Sequence, residues 1–87
     1  MHEHIAAKVR KLREVYGYSQ RQVGQMINVG QSTYNGKERG QVAYTIVEMV
    51  IIAKLFKISL DDLVSDKELT IEIKVSNSVE QFTIKYL

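Results

Sequence analysis

Apolar residues fall at Ile5, Val9, Leu12 and Tyr16, in steps of four, three and four, which draws one stripe along a helix that Gly17 closes. Ser19 stands three residues before Gln22. A hydroxyl followed at that distance by an amide caps a helix start reciprocally, so a second helix begins there and turns Val23, Met26 and Ile27 inward. Asn28-Val29-Gly30 predicts a tight turn, because asparagine and glycine accept positive φ while Val29 pins the turn to the core. A third, short helix follows from Gln31. Thr33, Asn35 and Gly36 within it are weak helix formers, so tertiary packing has to hold it. Thr45 with Glu48 repeats the capping pattern. Ile46, Met49, Val50, Ala53 and Phe56 on one side, with Val47, Ile51 and Leu55 on the next, predict a fourth helix with little polar surface that forms the centre of the core. Ser59 with Asp62 opens a fifth, with Leu60, Leu63 and Val64 facing inward.

From Leu69 the period drops to two. Leu69, Ile71, Ile73 and Val75 alternate with Thr70, Glu72 and Lys74, and beyond Asn77-Ser78 the apolar set is Phe82, Ile84 and Tyr86. This predicts a β-hairpin. With Ser76 opposite Val79, Ile73 meets Phe82, Ile71 meets Ile84 and Leu69 meets Tyr86, so one face is apolar throughout. The expected fold is mainly α, five helices followed by a C-terminal hairpin, divided as 1–66 and 67–87.

Length and composition narrow the chemistry. Eighty-seven residues, 45% of them hydrophobic and 25% charged, make one small domain with at most one appendage. There is no cysteine, which excludes a disulfide scaffold, a zinc ribbon and a thiol nucleophile. The run from Ile46 to Phe56 is broken by Glu48 and Lys54 and is too short to span a bilayer, and the first four residues lack the order of a signal peptide. A soluble, cytoplasmic protein with no membrane association is expected. The net charge is only +2, but it is unevenly placed. Seven basic residues face three acidic ones through Gly40, whereas two face four from Gln41 to Asp66, a distribution that fits a protein with one side turned to a polyanion and equally an ordinary solvated surface. No nucleophile, base and orienting residue stand in a catalytic pattern and no glycine-rich phosphate loop is present, so neither enzymatic activity nor a cofactor is expected. His2 and His4, at a terminus expected to fray, do not make a metal site.

A helix, a tight turn and a short polar helix form the unit that enters a DNA major groove. The stretch from Tyr18 to Gly40 resembles the core of the Cro/C1-type, or xenobiotic-response-element, helix-turn-helix family. The resemblance rests on Ser19-Gln20, Val23, Ile27, Val29, Gln31-Ser32-Thr33-Tyr34 and the closing Glu38-Arg39-Gly40. Residues 5 to 65 follow the family's five-helix order, that of a lambda-repressor-like domain, and include Ile58-Ser59-Leu60-Asp61-Asp62-Leu63 as its fifth helix. What the resemblance implies is double-stranded DNA as partner, with Gln31, Ser32 and Asn35 reading base edges. It implies Ser19, Gln20, Thr33, Lys37 and Arg39 on phosphates, and a largely buried Arg13–Glu38 ion pair tying the first helix to the third. The sequence departs from the family at Asn28, Gly24, Gly30, Gly36 and Lys37. Gly36 removes a customary base-contacting side chain. Lys37 stands where an apolar residue normally enters the core, and is expected to bury its stem and free its ammonium.

The hairpin is an addition to the family's usual length, and its apolar face needs a cover. Three covers are open: the chain's own helices, the same element of a second copy, or another protein. A two-fold dimer suits palindromic half-sites about 34 Å apart, which assigns dimerisation to Leu69, Ile71, Ile73, Val75, Phe82, Ile84 and Tyr86. The expected function is a homodimeric repressor that reads a palindromic operator with the third helix. The alternative is a protein-interaction module, antitoxin-like or regulator-binding, with weak or no DNA binding.

Overall fold

The computed structural model describes residues 2–75 and 78–84. Its order is α1 (His2–Tyr16), α2 (Gln20–Met26), α3 (Gln31–Glu38), α4 (Ile46–Leu55), α5 (Leu60–Val64), β1 (Leu69–Val75) and β2 (Ser78–Ile84). Ile5, Ala6, Val9 and Leu12 of α1 are buried at the centre, together with Val23, Ile27, Tyr34, Ile52, Phe56 and Leu63 from the other four helices. Gly17, at φ +80°, ends α1. No helix among the described residues is long and apolar enough to cross a membrane.

The first two turns of α1 are fastened to α5. His4 and Lys8 lie on its buried side, and both reach the end of α5. The His4 ring Nε2 sits 2.6 Å from the Val64 carbonyl oxygen, and Lys8 donates to the carbonyls of Asp62, at 2.7 Å, and Ser65. A five-residue helix offers few internal hydrogen bonds, so these side chains satisfy carbonyls that would otherwise end the helix unpaired.

Helix α4 turns one stripe inward rather than nearly its whole surface. Met49, Ile52 and Ala53 are buried and Phe56 closes the stripe, whereas Ile46 is 66% exposed and Val47 68% exposed. Apolar residues on every side of a helix do not say which side the core takes.

The hairpin is antiparallel, with a register two residues from the expected one. Leu69 pairs with Ile84, Ile71 with Phe82, Ile73 with Glu80 and Val75 with Ser78; the expected Leu69–Tyr86 pair involves a residue outside the described ones. A two-residue shift keeps every side chain on its original face, so alternation alone cannot separate the two registers. The helices decide it. Leu69, Ile71 and Ile84, the paired residues farthest from the turn, are buried in the same core cluster as the helices, with Ile73 and Phe82 half-buried against it. Glu80 falls opposite Ile73, toward the turn, where β2 is exposed. The face expected to meet a second copy is thus closed by the chain's own helices at Leu69, Ile71 and Ile84. The side chain of Val75 and all of Tyr86 lie outside the described residues.

Candidate nucleic-acid interface

The candidate interface is formed by α2, the turn and α3. Ser19 caps α2 reciprocally: its hydroxyl oxygen accepts from the Gln22 N–H at 3.0 Å and its own N–H donates to the Gln22 side-chain oxygen at 2.8 Å. Asn28 adopts φ 62° in the turn, a left-handed conformation that asparagine tolerates better than most residues. Gly24 lets the two helices close up. A Cβ there would stand 3.3 Å from both the Tyr34 Cβ and the Val29 carbonyl oxygen. Gly30 precedes α3 in extended conformation and gives it no side-chain cap.

Helix α3 is anchored by its inner face. Tyr34 is fully buried, its ring edge-on to Tyr44 with centroids 6.5 Å apart. Glu38 accepts two hydrogen bonds from Arg13, Nε to Oε2 and Nη2 to Oε1, both 2.9 Å; a third Arg13 nitrogen donates to the Tyr18 carbonyl at 2.9 Å. Burial works against the Glu38 charge, but the hydrogen bond from Arg13 helps hold the carboxyl below the ordinary value. That same bond raises the Arg13 pKa further.

Lys37 is the second inner anchor. Expected at a phosphate, it is instead buried with its ammonium 2.9 Å from a Glu48 carboxylate oxygen and donating to the Ala43 carbonyl at 2.9 Å. It also lies 5.7 Å from the Tyr44 ring centre. Glu48 completes the cap of α4, accepting from the Thr45 N–H at 2.9 Å. Lys37 therefore closes the segment between α3 and α4, and its ammonium is turned away from the outer surface.

With Tyr34, Lys37 and Glu38 inside, the 100° step of a helix leaves Ser32, Asn35, Gly36 and Arg39 on the outer side, with Gln31 and Thr33 flanking them at the N-terminal turn. Gln31, Ser32, Thr33 and Arg39 are exposed and Asn35 is half-buried. Gln20, at the start of α2, joins this surface. Its amide nitrogen donates to Glu38 Oε1 at 3.3 Å and its amide oxygen accepts from Asn35 at 3.3 Å. The Arg13–Glu38 pair thereby fixes the Gln20 amide, which fixes Asn35. Each amide nitrogen carries two N–H groups, so both retain a donor for a phosphate or base. Ser19 is exposed beside Gln20.

One basic residue of this surface was missed by sequence reasoning. Arg10, with its side chain 63% exposed and 3.6 Å from Glu14, lines a shallow recess of about 240 Å³ together with Arg13, Gln20, Asn35, Glu38 and Arg39. Only its contribution to the basic first half of the chain pointed to it, because no motif position marks it.

A helix-turn-helix family model matches residues 9–63, the span from the middle of α1 through α5, and leaves the hairpin outside. The chain is also 30% identical, over 75 residues, to the cryptic phage CTXphi transcriptional repressor RstR of Vibrio cholerae, an alignment that covers 86% of this chain and 68% of that repressor. No solved structure matches. On the matched stretch, the five-helix order and the capped α2–turn–α3 unit, the chain belongs to the Cro/C1-type helix-turn-helix family of DNA-binding transcriptional regulators.

Proposed function

We propose that the protein is a sequence-specific repressor that binds a palindromic operator as a homodimer, with α3 in the major groove. The carrying observation is the division of α3: Tyr34, Lys37 and Glu38 are buried, which leaves Gln31, Ser32 and Thr33 together on the surface at its N-terminal turn. That turn is the part of a recognition helix that reaches base edges. Gln31, Ser32 and Asn35 read bases, and a glutamine amide donates to and accepts from adenine at once. Ser19, Gln20, Thr33 and Arg39 hold phosphates, joined by Arg10, while the N–H groups at the start of α2 favour the anion. Lys37 has no phosphate role in this reading. Repression is supported by the likeness to the phage repressor.

Selection from random duplexes, followed by titration of the selected site at several salt concentrations, tests the reading. Gln31→Ala is expected to lose about 1–3 kcal/mol of discrimination at one base position, and Arg39→Ala or Arg10→Ala to lower affinity for every sequence and reduce the salt slope by about one each. Failure to select any preferred sequence, or equal losses for Gln31→Ala on selected and random DNA, overturns it.

A further inference from the structure

The outer side of α3 has a gap in its second half. Gly36 lies on the same stripe as Ser32, four residues earlier, and presents no side chain there. The chain folds back onto that gap. The Gly36 carbonyl accepts from the Gln41 N–H at 2.9 Å and from the Val42 N–H at 3.2 Å, while the N–H of Gly40, itself at φ +79°, donates to the Lys37 carbonyl at 3.1 Å. This is the paired-bond closure that ends a helix on a left-handed glycine, and it commonly packs an apolar side chain beyond the helix against one in the last turn. Here the helix supplies no such side chain. The Val42 Cγ2 atom instead stands 3.3 Å from the position a Cβ on Gly36 would take, and Val42 keeps 44% of its surface exposed.

Two hydrogen bonds to one carbonyl fix residues 41 and 42 to α3, so the isopropyl group of Val42 is carried by the helix rather than by a free loop. Polar residues frame it. Asn35 and Arg39 lie on the outer side of the same helix, and Gln41 is exposed beside it. We propose that Val42 takes the place of the side chain that Gly36 lacks and contacts the C5 methyl group of a thymine in the major groove. This rests on the reading that α3 enters that groove.

The chemistry selects the occupant. The Val42 side chain has no donor, acceptor or charge for a phosphate or a polar base edge, and the methyl of thymine is the apolar group that a base pair presents in the major groove. Position follows from the helix. Gly36 lies one turn, about 5.4 Å, beyond Ser32, and base pairs are spaced about 3.4 Å apart. The thymine therefore falls about one to two base pairs from those assigned to Gln31 and Ser32.

The test replaces each thymine of the selected site by uracil in turn, which removes the methyl and keeps the base-pairing atoms, and titrates each duplex with the unaltered protein and with Val42→Ala. At one thymine in each half-site, loss of the methyl is expected to weaken the unaltered protein about three- to fivefold, the worth of one buried methyl. The same replacement is expected to leave Val42→Ala unchanged, so the cycle isolates the contact. Val42→Ala, with its fold checked by circular dichroism, removes no charge and is expected to keep the full salt slope. The same uracil profile in both proteins, tolerance of uracil at every thymine by the unaltered protein, or a reduced salt slope in Val42→Ala each overturns the assignment and leaves α3 as the reading helix. Failure to select any preferred sequence overturns both.

Discussion

At its C-terminal end α1 holds α3 by charge on charge, Arg13 against Glu38; at its N-terminal end it holds α5 by side chains on backbone carbonyls, His4 against Val64 and Lys8 against Asp62 and Ser65. Both contacts are buried, but burial is resolved differently. The hydrogen bonds from Arg13 outweigh burial at Glu38, whose carboxyl is held below its ordinary value. At Lys8 burial wins, and the ammonium loses its proton more readily than a free lysine, although Asp62 and Asp66 pull the other way. The α3 end is therefore an electrostatic fastening whose loss strands a charge, and the α5 end a hydrogen-bonded one whose loss strands neutral acceptors. The first positions the surface proposed to read DNA, because Glu38 also holds Gln20; the second secures the helix that leads into the hairpin.

The sharpest way to break this difference is Glu38→Ala. Removing one partner of a buried pair is expected to cost about 3–5 kcal/mol, because the Arg13 guanidinium is left without its counter-charge. Urea unfolding measures the loss. Glu38→Gln, which keeps the shape and two acceptor or donor atoms, is expected to lose less. A cost for Glu38→Ala no larger than that of an exposed substitution, within about 0.5 kcal/mol, shows that the pair does not hold α3.

Acid tests the same end without mutation. Glu38 and Glu48 both have folded-state pKa values below the ordinary 4.5; for Glu48, burial opposes the charge and the hydrogen bond from Lys37 helps hold it. The stability they contribute is fully present above 4.5 and is lost as the pH falls through the lower folded values. Thermal melts between pH 6 and pH 2 are expected to show this loss, reduced in Glu38→Gln. An identical acid profile in Glu38→Gln removes Glu38 from the account.

Lys8→Met is the matching test at the other end. It keeps an apolar stem but leaves the Asp62 and Ser65 carbonyls without the ammonium, for an expected loss of about 1–3 kcal/mol. Hydrogen exchange is the decisive readout: amides of α5 and the hairpin are expected to exchange faster, while those of α2 and α3 keep their relative protection. Uniform acceleration across all five helices removes the distinction between the two ends.

The same contrast explains how much of the molecule was legible. The Arg13–Glu38 pair was legible only through the family resemblance, which marks both positions, whereas the capping boxes at Ser19–Gln22 and Thr45–Glu48 are written in the spacing of their own two members. A side chain that seeks a carbonyl marks only itself. Nothing at Val64, Asp62 or Ser65 announces that His4 and Lys8 end there, so the start of α1 reads as a loose terminus. Lys37 falls in a core position of the family pattern, but its long stem reaches Glu48, eleven residues on and across a loop, which local spacing does not reveal. Period-two alternation identifies the hairpin and its apolar face, yet it is blind to an even shift, and only the helical body beneath Leu69, Ile71 and Ile84 selects the register. The exposed Ile46 and Val47 read as core positions because hydrophobicity carries no direction when every side of a helix is apolar.

The smallest expected effect sharpens the account of α3 itself. Gly30 precedes this helix at φ −70° and ψ 161°, a conformation open to any residue, with no side-chain cap and nothing within 4 Å of an added Cβ. Gly30→Ser supplies an acceptor for the N–H groups of the first turn and restricts the unfolded chain, so a gain of about 0.5 kcal/mol is expected. Inner anchors and an N-terminal cap act on opposite ends of one short helix of weak intrinsic propensity. The cap is therefore expected to add less in the native background, where Tyr34, Lys37 and Glu38 already hold the helix, than in Glu38→Ala, where one anchor is gone. A double-mutant cycle by urea unfolding measures that coupling. Strict additivity shows that the two ends of α3 are stabilised independently, in which case the Arg13–Glu38 contact orders its own end of the helix and leaves Gln31 and Ser32 to the turn that precedes them.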